Sequence, residues 1–191
     1  MSAATTDRIV NVPNVLTTAR LVLAIVVFGL IAYGLFLPAF IVFVVAASTD
    51  WIDGYWARRF GQVSKVGRIL DPFVDKIIIC GTFIFLAAER PESGIAPWVA
   101  VVVVGRELLV TALRSAIEAS GGDFSASWPA KWKMFFQCVA AGASLVALMY
   151  RGGIPPQFVR LTLAVSVWLT VVTTVYSGLD YVVAALRRLR A

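Results

Sequence analysis

Residues 50–76 read Asp50-Trp51-Ile52-Asp53-Gly54-Tyr55-Trp56-Ala57-Arg58-Arg59-Phe60, then Gly61-Gln62-Val63-Ser64-Lys65-Val66-Gly67-Arg68-Ile69-Leu70-Asp71-Pro72-Phe73-Val74-Asp75-Lys76. Asp50 and Asp53 are three apart, and Asp71 and Asp75 four apart. On a helix, either spacing sets the pair on one face. Apolar sequence precedes Asp50 and follows Asp75, so the two pairs mark the facing ends of consecutive helices. A short connection makes those helices antiparallel neighbours and brings the pairs together. Four carboxylates at one spot repel, and ionisable groups at membrane depth are costly. Two divalent cations about 4 Å apart, as in two-metal phosphoryl-transfer sites, would balance them. A competing reading pairs the acids with Arg58, Arg59, Arg68 and Lys76 as a solvated loop face. Regular spacing on two helices, with Gly54 and Gly67 alongside, favours the metal site.

Composition sets the environment of this cluster. The 191 residues are 60% hydrophobic and 15% charged, with a mean hydropathy of +0.85. A soluble domain is roughly half apolar and about a quarter charged. The composition therefore predicts an all-α integral membrane protein. At about 20 residues per spanning helix, five or six crossings consume nearly the whole chain as one transmembrane domain, residues 1–191. Seventeen Lys and Arg against eleven Asp and Glu give a net charge of +6. That excess reads as loops on an anionic membrane surface rather than as a nucleic-acid interface. No histidine is present, which excludes Ser-His chemistry and His-ligated zinc. Carboxylate ligands select a hard ion, Mg²⁺ or Mn²⁺. Cys80 and Cys138 sit in apolar runs without metal-site spacing and read as packing residues.

Apolar runs cover about 18–36, 38–57, 68–88, 95–117, 132–150 and 157–186, which predicts six transmembrane helices. Residues 1–13 read as a short segment along the membrane surface, and the first apolar run does not read as a cleaved signal peptide. Turn residues separate the runs: Gly34 and Pro38, Gly61 to Gly67, Pro91 to Pro97, Gly121 to Pro129, and Gly152 to Pro156. Arg8, Arg20, Arg58, Arg59, Lys65, Arg68, Arg114, Lys131, Lys133, Arg187, Arg188 and Arg190 gather at one set of ends. Arg90, Arg151 and Arg160 lie at the other. The bias places both termini, the loops near 58–67 and 118–131 and the acidic cluster on the cytoplasmic side.

Gly54 follows Asp53, and Arg58 lies one turn beyond it on the same face. The glycine admits a bulky ligand to the backbone, and the arginine suits a pyrophosphate. Ser64 reads equally as a ligand contact and as a helix N-cap. The whole run, D-x2-D-G-x2-A-R-x8-G-x3-D-x3-D, is matched at Asp50, Asp53, Gly54, Ala57, Arg58, Gly67, Asp71 and Asp75. In this it resembles the CDP-alcohol phosphatidyltransferase family of membrane enzymes. Asn11 to Thr17 with Arg20, Gly105-Arg106-Glu107, Lys131-Trp132-Lys133 to Gln137 and Tyr176 to Tyr181 are most similar to the branch that makes phosphatidylglycerol phosphate.

The resemblance implies that a hydroxyl of sn-glycerol 3-phosphate attacks the β-phosphorus of CDP-diacylglycerol and CMP leaves. It implies that Asp50, Asp53, Asp71 and Asp75 ligate two Mg²⁺ or Mn²⁺ ions and that Asp75 also serves as general base. Gly54, Arg58 and Ser64 would hold the CDP group, with Asn14 and Thr17 closing over the nucleotide. It implies, finally, a homodimer in the inner (cytoplasmic) membrane.

Arg106 and Glu107 interrupt an apolar stretch, with Arg114 eight residues on and Lys133 and Gln137 sharing a face of the next helix. Arg106, Arg114, Lys131 and Lys133 suit the phosphate of an anionic acceptor. The structural alternative has Arg106 and Glu107 cancelling one another and the lysines reaching to the interface. Asp180 reads as a partner for these cations. The tryptophans read as interface anchors. Two other functions compete. One keeps the chemistry with another acceptor, phosphatidylglycerol (a cardiolipin synthase) or inositol phosphate. The other is a divalent-cation transporter, which predicts acids spread along the membrane depth rather than gathered at one end.

Overall fold

The computed structural model describes residues 12–60, 65–119 and 128–189, with side chains at 15, 17–48, 73–117 and 132–187. Six helices follow in order: α1 (Val12–Ala32), α2 (Phe36–Phe60), α3 (Lys65–Ala88), α4 (Pro97–Ala119), α5 (Trp128–Leu148) and α6 (Gln157–Leu189). No strand occurs among the described residues. The six apolar runs thus become six helices, with boundaries shifted by local chemistry. α1 starts at Val12, inside the stretch read as interfacial, because Pro13 is tolerated in a first turn whose amides have no intrahelical acceptor. Residues 1–11 lie outside the described residues.

α1 ends before residue 36 at a glycine cap. Gly34 has φ +73°, Leu35 N donates to Leu30 O at 2.8 Å and Gly34 N to Ile31 O at 2.9 Å. This paired bonding satisfies carbonyls at the helix end and needs the left-handed conformation that glycine adopts freely. α2 resumes at Phe36, and Pro38 falls within its first turn, where it costs no hydrogen bond. Pro97 opens α4 in the same way.

The chain forms two compact units, Met1–Thr82 and Phe83–Ala191. In the first, α1 packs along α2. Ala24, Val27 and Ile31 of α1 and Ala39, Phe43 and Ala46 of α2 are buried. α3 meets α1 closely where a side chain at Gly81 would overlap the Phe28 ring. In the second unit, α6 packs against both α4 and α5. The turn before α4 is tied to α5 by Ser144 Oγ, which donates to Ser93 O at 2.6 Å. Arg151 and Glu89 pair at 3.0 Å at the same end.

α6 is 33 residues long, and its faces are inverted relative to a soluble helix. Ser166, Thr170, Thr174 and Ser177 are buried, whereas Leu161, Val165, Trp168, Val172 and Leu179 are exposed. Small polar residues inside and large apolar ones outside are what helix packing in lipid favours. By length and composition, Gln157–Arg187 can cross a membrane; the shorter apolar stretches Thr17–Ala32, Phe36–Ser48 and Trp132–Leu148 fall below that length among the described residues. Trp98 pairs with Trp168 at 6.1 Å between ring centres. Trp132 stacks on Phe136 at 6.1 Å and remains 53% exposed, as an interface anchor requires. Cys80 and Cys138 are partly buried, and neither is in a disulfide.

Gly94 has φ +67° and lies against Leu163, whose Cδ2 would stand 2.7 Å from a Cβ at that position. Gly94→Ala is therefore expected to lose about 1–3 kcal/mol through backbone strain and crowding together. Thermal unfolding of the detergent-solubilised protein should show a lower midpoint, and an unchanged one would contradict this packing.

Candidate active site

Asp50, Asp53, Gly54 and Arg58 fall in α2, and Gly67, Asp71 and Asp75 in α3, so both acidic pairs are carried on helices as their spacing predicts. The side chains of Asn14, Asp50, Asp53, Gly54, Arg58, Gly67, Asp71 and Lys131, and Ser64 altogether, lie outside the described residues. No group of three or more acidic or thiol side chains stands together among the described residues.

Asp75 is described, and its partner is one that spacing alone did not reveal. Arg20 Nη1 donates to Asp75 Oδ1 at 2.5 Å. The arginine side chain is 3% exposed and the aspartate 29%. The bond joins α1 to α3 over 55 residues of sequence. The guanidinium fixes one carboxylate oxygen and so orients the whole group. Thr17 lies one turn before Arg20 on α1 and is also buried. A buried arginine in an apolar helix is itself a functional signal, and that signal was present in the sequence at Arg20.

A second polar cluster lies in the other unit. Arg106, Glu107, Lys133 and Ser177 are buried, with Tyr181 2% exposed beside them. Glu107 Oε1 accepts from Arg106 Nη1 at 3.1 Å and also from Lys133 Nζ, joining α4 to α5. Arg106 Nη2 donates to Ser177 Oγ of α6 at 2.5 Å. The Arg106 guanidinium carbon lies 5.4 Å from the Tyr181 ring centre, within cation–π range. Arg114 Nη2 reaches the Tyr181 hydroxyl at 3.4 Å.

The sequence alternative in which Arg106 and Glu107 cancel is thus half right. They do pair, but one carboxylate is shared with Lys133 while Arg114 points at a neutral hydroxyl. Arg106 Nε and Arg114 Nε are buried with no hydrogen-bond acceptor among the described residues. Buried donors are normally satisfied, and these two are not. Gln137 faces Thr174 at 3.5 Å. Asp180 is exposed and makes no ion pair among the described residues, so it does not complete the cluster. Ser177 and Tyr181 complete it instead.

Residues 10–176 match the family model described as CDP-alcohol phosphatidyltransferase. The chain belongs to that family. Among curated proteins it is similar to the CDP-diacylglycerol–glycerol-3-phosphate 3-phosphatidyltransferase of Bacillus subtilis, at 32% identity over 90% of this chain and 93% of the relative. The corresponding enzyme of Yersinia pestis is 35% identical over 92% of this chain and 94% of its own length. A probable phosphatidylglycerophosphate synthase of Mycobacterium tuberculosis is 37% identical over 94% of this chain and 84% of its own length.

Arg20→Met and Asp75→Asn should each destabilise the fold by about 1–3 kcal/mol for loss of a charged hydrogen bond. Together they should be non-additive by at least about 0.5 kcal/mol. Strict additivity in a double-mutant cycle would show that the two side chains are not coupled.

Proposed function

We propose that this protein transfers the phosphatidyl group of CDP-diacylglycerol to sn-glycerol 3-phosphate, giving phosphatidylglycerol phosphate and CMP. Family membership supports the donor and the bond broken. The observation that carries the acceptor is the Arg106–Glu107–Arg114–Lys133 cluster, where Arg106 and Arg114 each keep a buried Nε–H without an acceptor among the described residues. A phosphate monoester carries a charge of about −1.5 to −2 near neutral pH and several acceptor oxygens, which suits such a surplus of donors. The single charge of phosphatidylglycerol, the acceptor in the cardiolipin reading, suits it less. Inositol phosphate offers the same monoester, and the choice of glycerol 3-phosphate over it rests on what the similar bacterial enzymes are named for.

The proposed donor site lies on α2 and α3. Aspartates are hard oxygen donors, and a set of four without histidine fits Mg²⁺ or Mn²⁺. Asp50, Asp53, Asp71 and Asp75 would hold two such ions, which when bound neutralise charge on the phosphates and the departing CMP. Gly54, Arg58 and Ser64 bind the CDP group, with Asn14 and Thr17 above it. Asp75, oriented by Arg20, accepts the acceptor's hydroxyl proton as the new P–O bond forms and the bond to CMP breaks. Arg106, Arg114, Lys131 and Lys133 hold the acceptor phosphate.

The family match runs through both compact units, which supports one catalytic domain. Each helix has at least 21 residues, enough for a hydrocarbon core about 30 Å thick. With the exposed apolar faces, this supports six crossings of the bilayer. The Lys and Arg bias supports an active site facing the cytoplasm at the inner membrane. The family resemblance supports a homodimer.

Purified protein incubated with CDP-diacylglycerol, Mg²⁺ or Mn²⁺ and one candidate acceptor at a time should release CMP with glycerol 3-phosphate far faster than with inositol phosphate, phosphatidylglycerol or serine. Preference for phosphatidylglycerol would overturn the acceptor assignment. Asp75→Asn should lower kcat by about 10²–10⁴-fold, the usual contribution of a general base, while CDP-diacylglycerol still binds. Near-normal turnover would remove Asp75 from that role.

A further inference from the structure

We propose that Ser177 and Tyr181 of α6 are positioning residues that set Arg106 and Arg114 as a two-guanidinium grip for the acceptor phosphate. The proposal rests on the acceptor reading given above. Arg106 and Arg114 are eight residues apart on α4, a rise of about 12 Å. Each has a long, rotatable side chain, and nothing within α4 brings the two head groups to one ligand. α6 does so from outside.

Two positions of α6 divide this task. The Arg106 stem runs along α6 at Gly178, where a Cβ would make only ordinary contact, 3.4 Å, with Arg106 Cγ. Ser177 Oγ accepts from Arg106 Nη2 at 2.5 Å. The Tyr181 ring lies 5.4 Å from the same guanidinium, and its hydroxyl accepts from Arg114 Nη2 at 3.4 Å. One tyrosine therefore touches both arginines, the first through its π-face and the second through its oxygen. At 2% exposure it has no room to swing away.

The chemistry of these holders matters as much as their placement. Glu107 already engages Arg106 Nη1 and Lys133; the hydroxyl and aromatic face supplied by α6 orient the guanidiniums without adding further negative charge. A carboxylate in either position would compete with the phosphate for the same donors. Exposed Asp180, in the same stretch of α6, is the acid that does not join the cluster. The two Nε–H groups without acceptors are what such neutral holders leave available.

Tyr181→Phe keeps the ring under Arg106 and deletes the oxygen facing Arg114. Ser177→Ala deletes one contact to Arg106. Each change removes a single atom from a buried site, and either variant alone carries the test if the other does not fold. Steady-state kinetics of the full-length protein should show the KM for glycerol 3-phosphate raised about fivefold, the factor for one hydrogen bond's worth of binding. The KM for CDP-diacylglycerol should not move and kcat should change little. Equilibrium titration with inorganic phosphate should weaken by a similar factor.

Unchanged acceptor KM and phosphate affinity, or equal rises in both KM values, would reduce α6 to a packing role and overturn the proposal. Failure of the acceptor reading looks different. Wild-type protein would then not use glycerol 3-phosphate, whereas the phosphate titration would still report whether the grip exists and whether Ser177 and Tyr181 hold it.

Discussion

Glu107 is the carboxylate on which the interior of the second unit turns. It takes Arg106 from its own helix and Lys133 from α5. Removing one partner from a buried ion pair leaves an uncompensated charge, with a cost of about 3–5 kcal/mol. The cluster therefore ties α4 to α5, which both pack on α6, as well as setting the electrostatics. One acid among three cations leaves a net positive charge, which in the proposed function meets the acceptor phosphate. Packing and recognition follow from the same imbalance.

The first unit shows a related arrangement with the signs reversed. There an arginine from α1 orients an aspartate from α3, and the carboxylate belongs to the motif that carries the proposed chemistry. Arg20 thereby links the N-terminal helix to the acidic motif. Arg20 thus gives α1 a physical tie to the aspartates, because it fixes one oxygen of the proposed base.

Much of this was legible in the sequence. Six apolar runs gave six helices because glycine and proline mark the breaks, and Gly34, Gly94 and Gly152 do sit at positive φ between helices. The placement of both acidic pairs on α2 and α3 followed from spacing. The grouping of Arg106, Arg114 and Lys133 followed from the rarity of charge inside apolar helices. Partner choice was not legible. Spacing shows which residues share a face of one helix but not which face of a distant helix meets it, so Arg20 was not matched to Asp75. For the same reason sequence points to Asp180, since an acid is the obvious mate for a cation, and only the packing of α6 on α4 shows that a hydroxyl and a ring take the place.

The length of α6 has a consequence for how a water-soluble acceptor meets a lipid donor. A helix of 33 residues is about 50 Å long, some 20 Å more than the oily slab of a bilayer is thick. In the proposed six-span arrangement, with α6 entering that slab near Gln157, about 20 residues carry it to the opposite boundary, where Ser177 and Tyr181 emerge. The arginines they hold then stand at the waterline. A small polar alcohol phosphate can dock there while still wet, and the diacyl tails of its reaction partner need never leave oil.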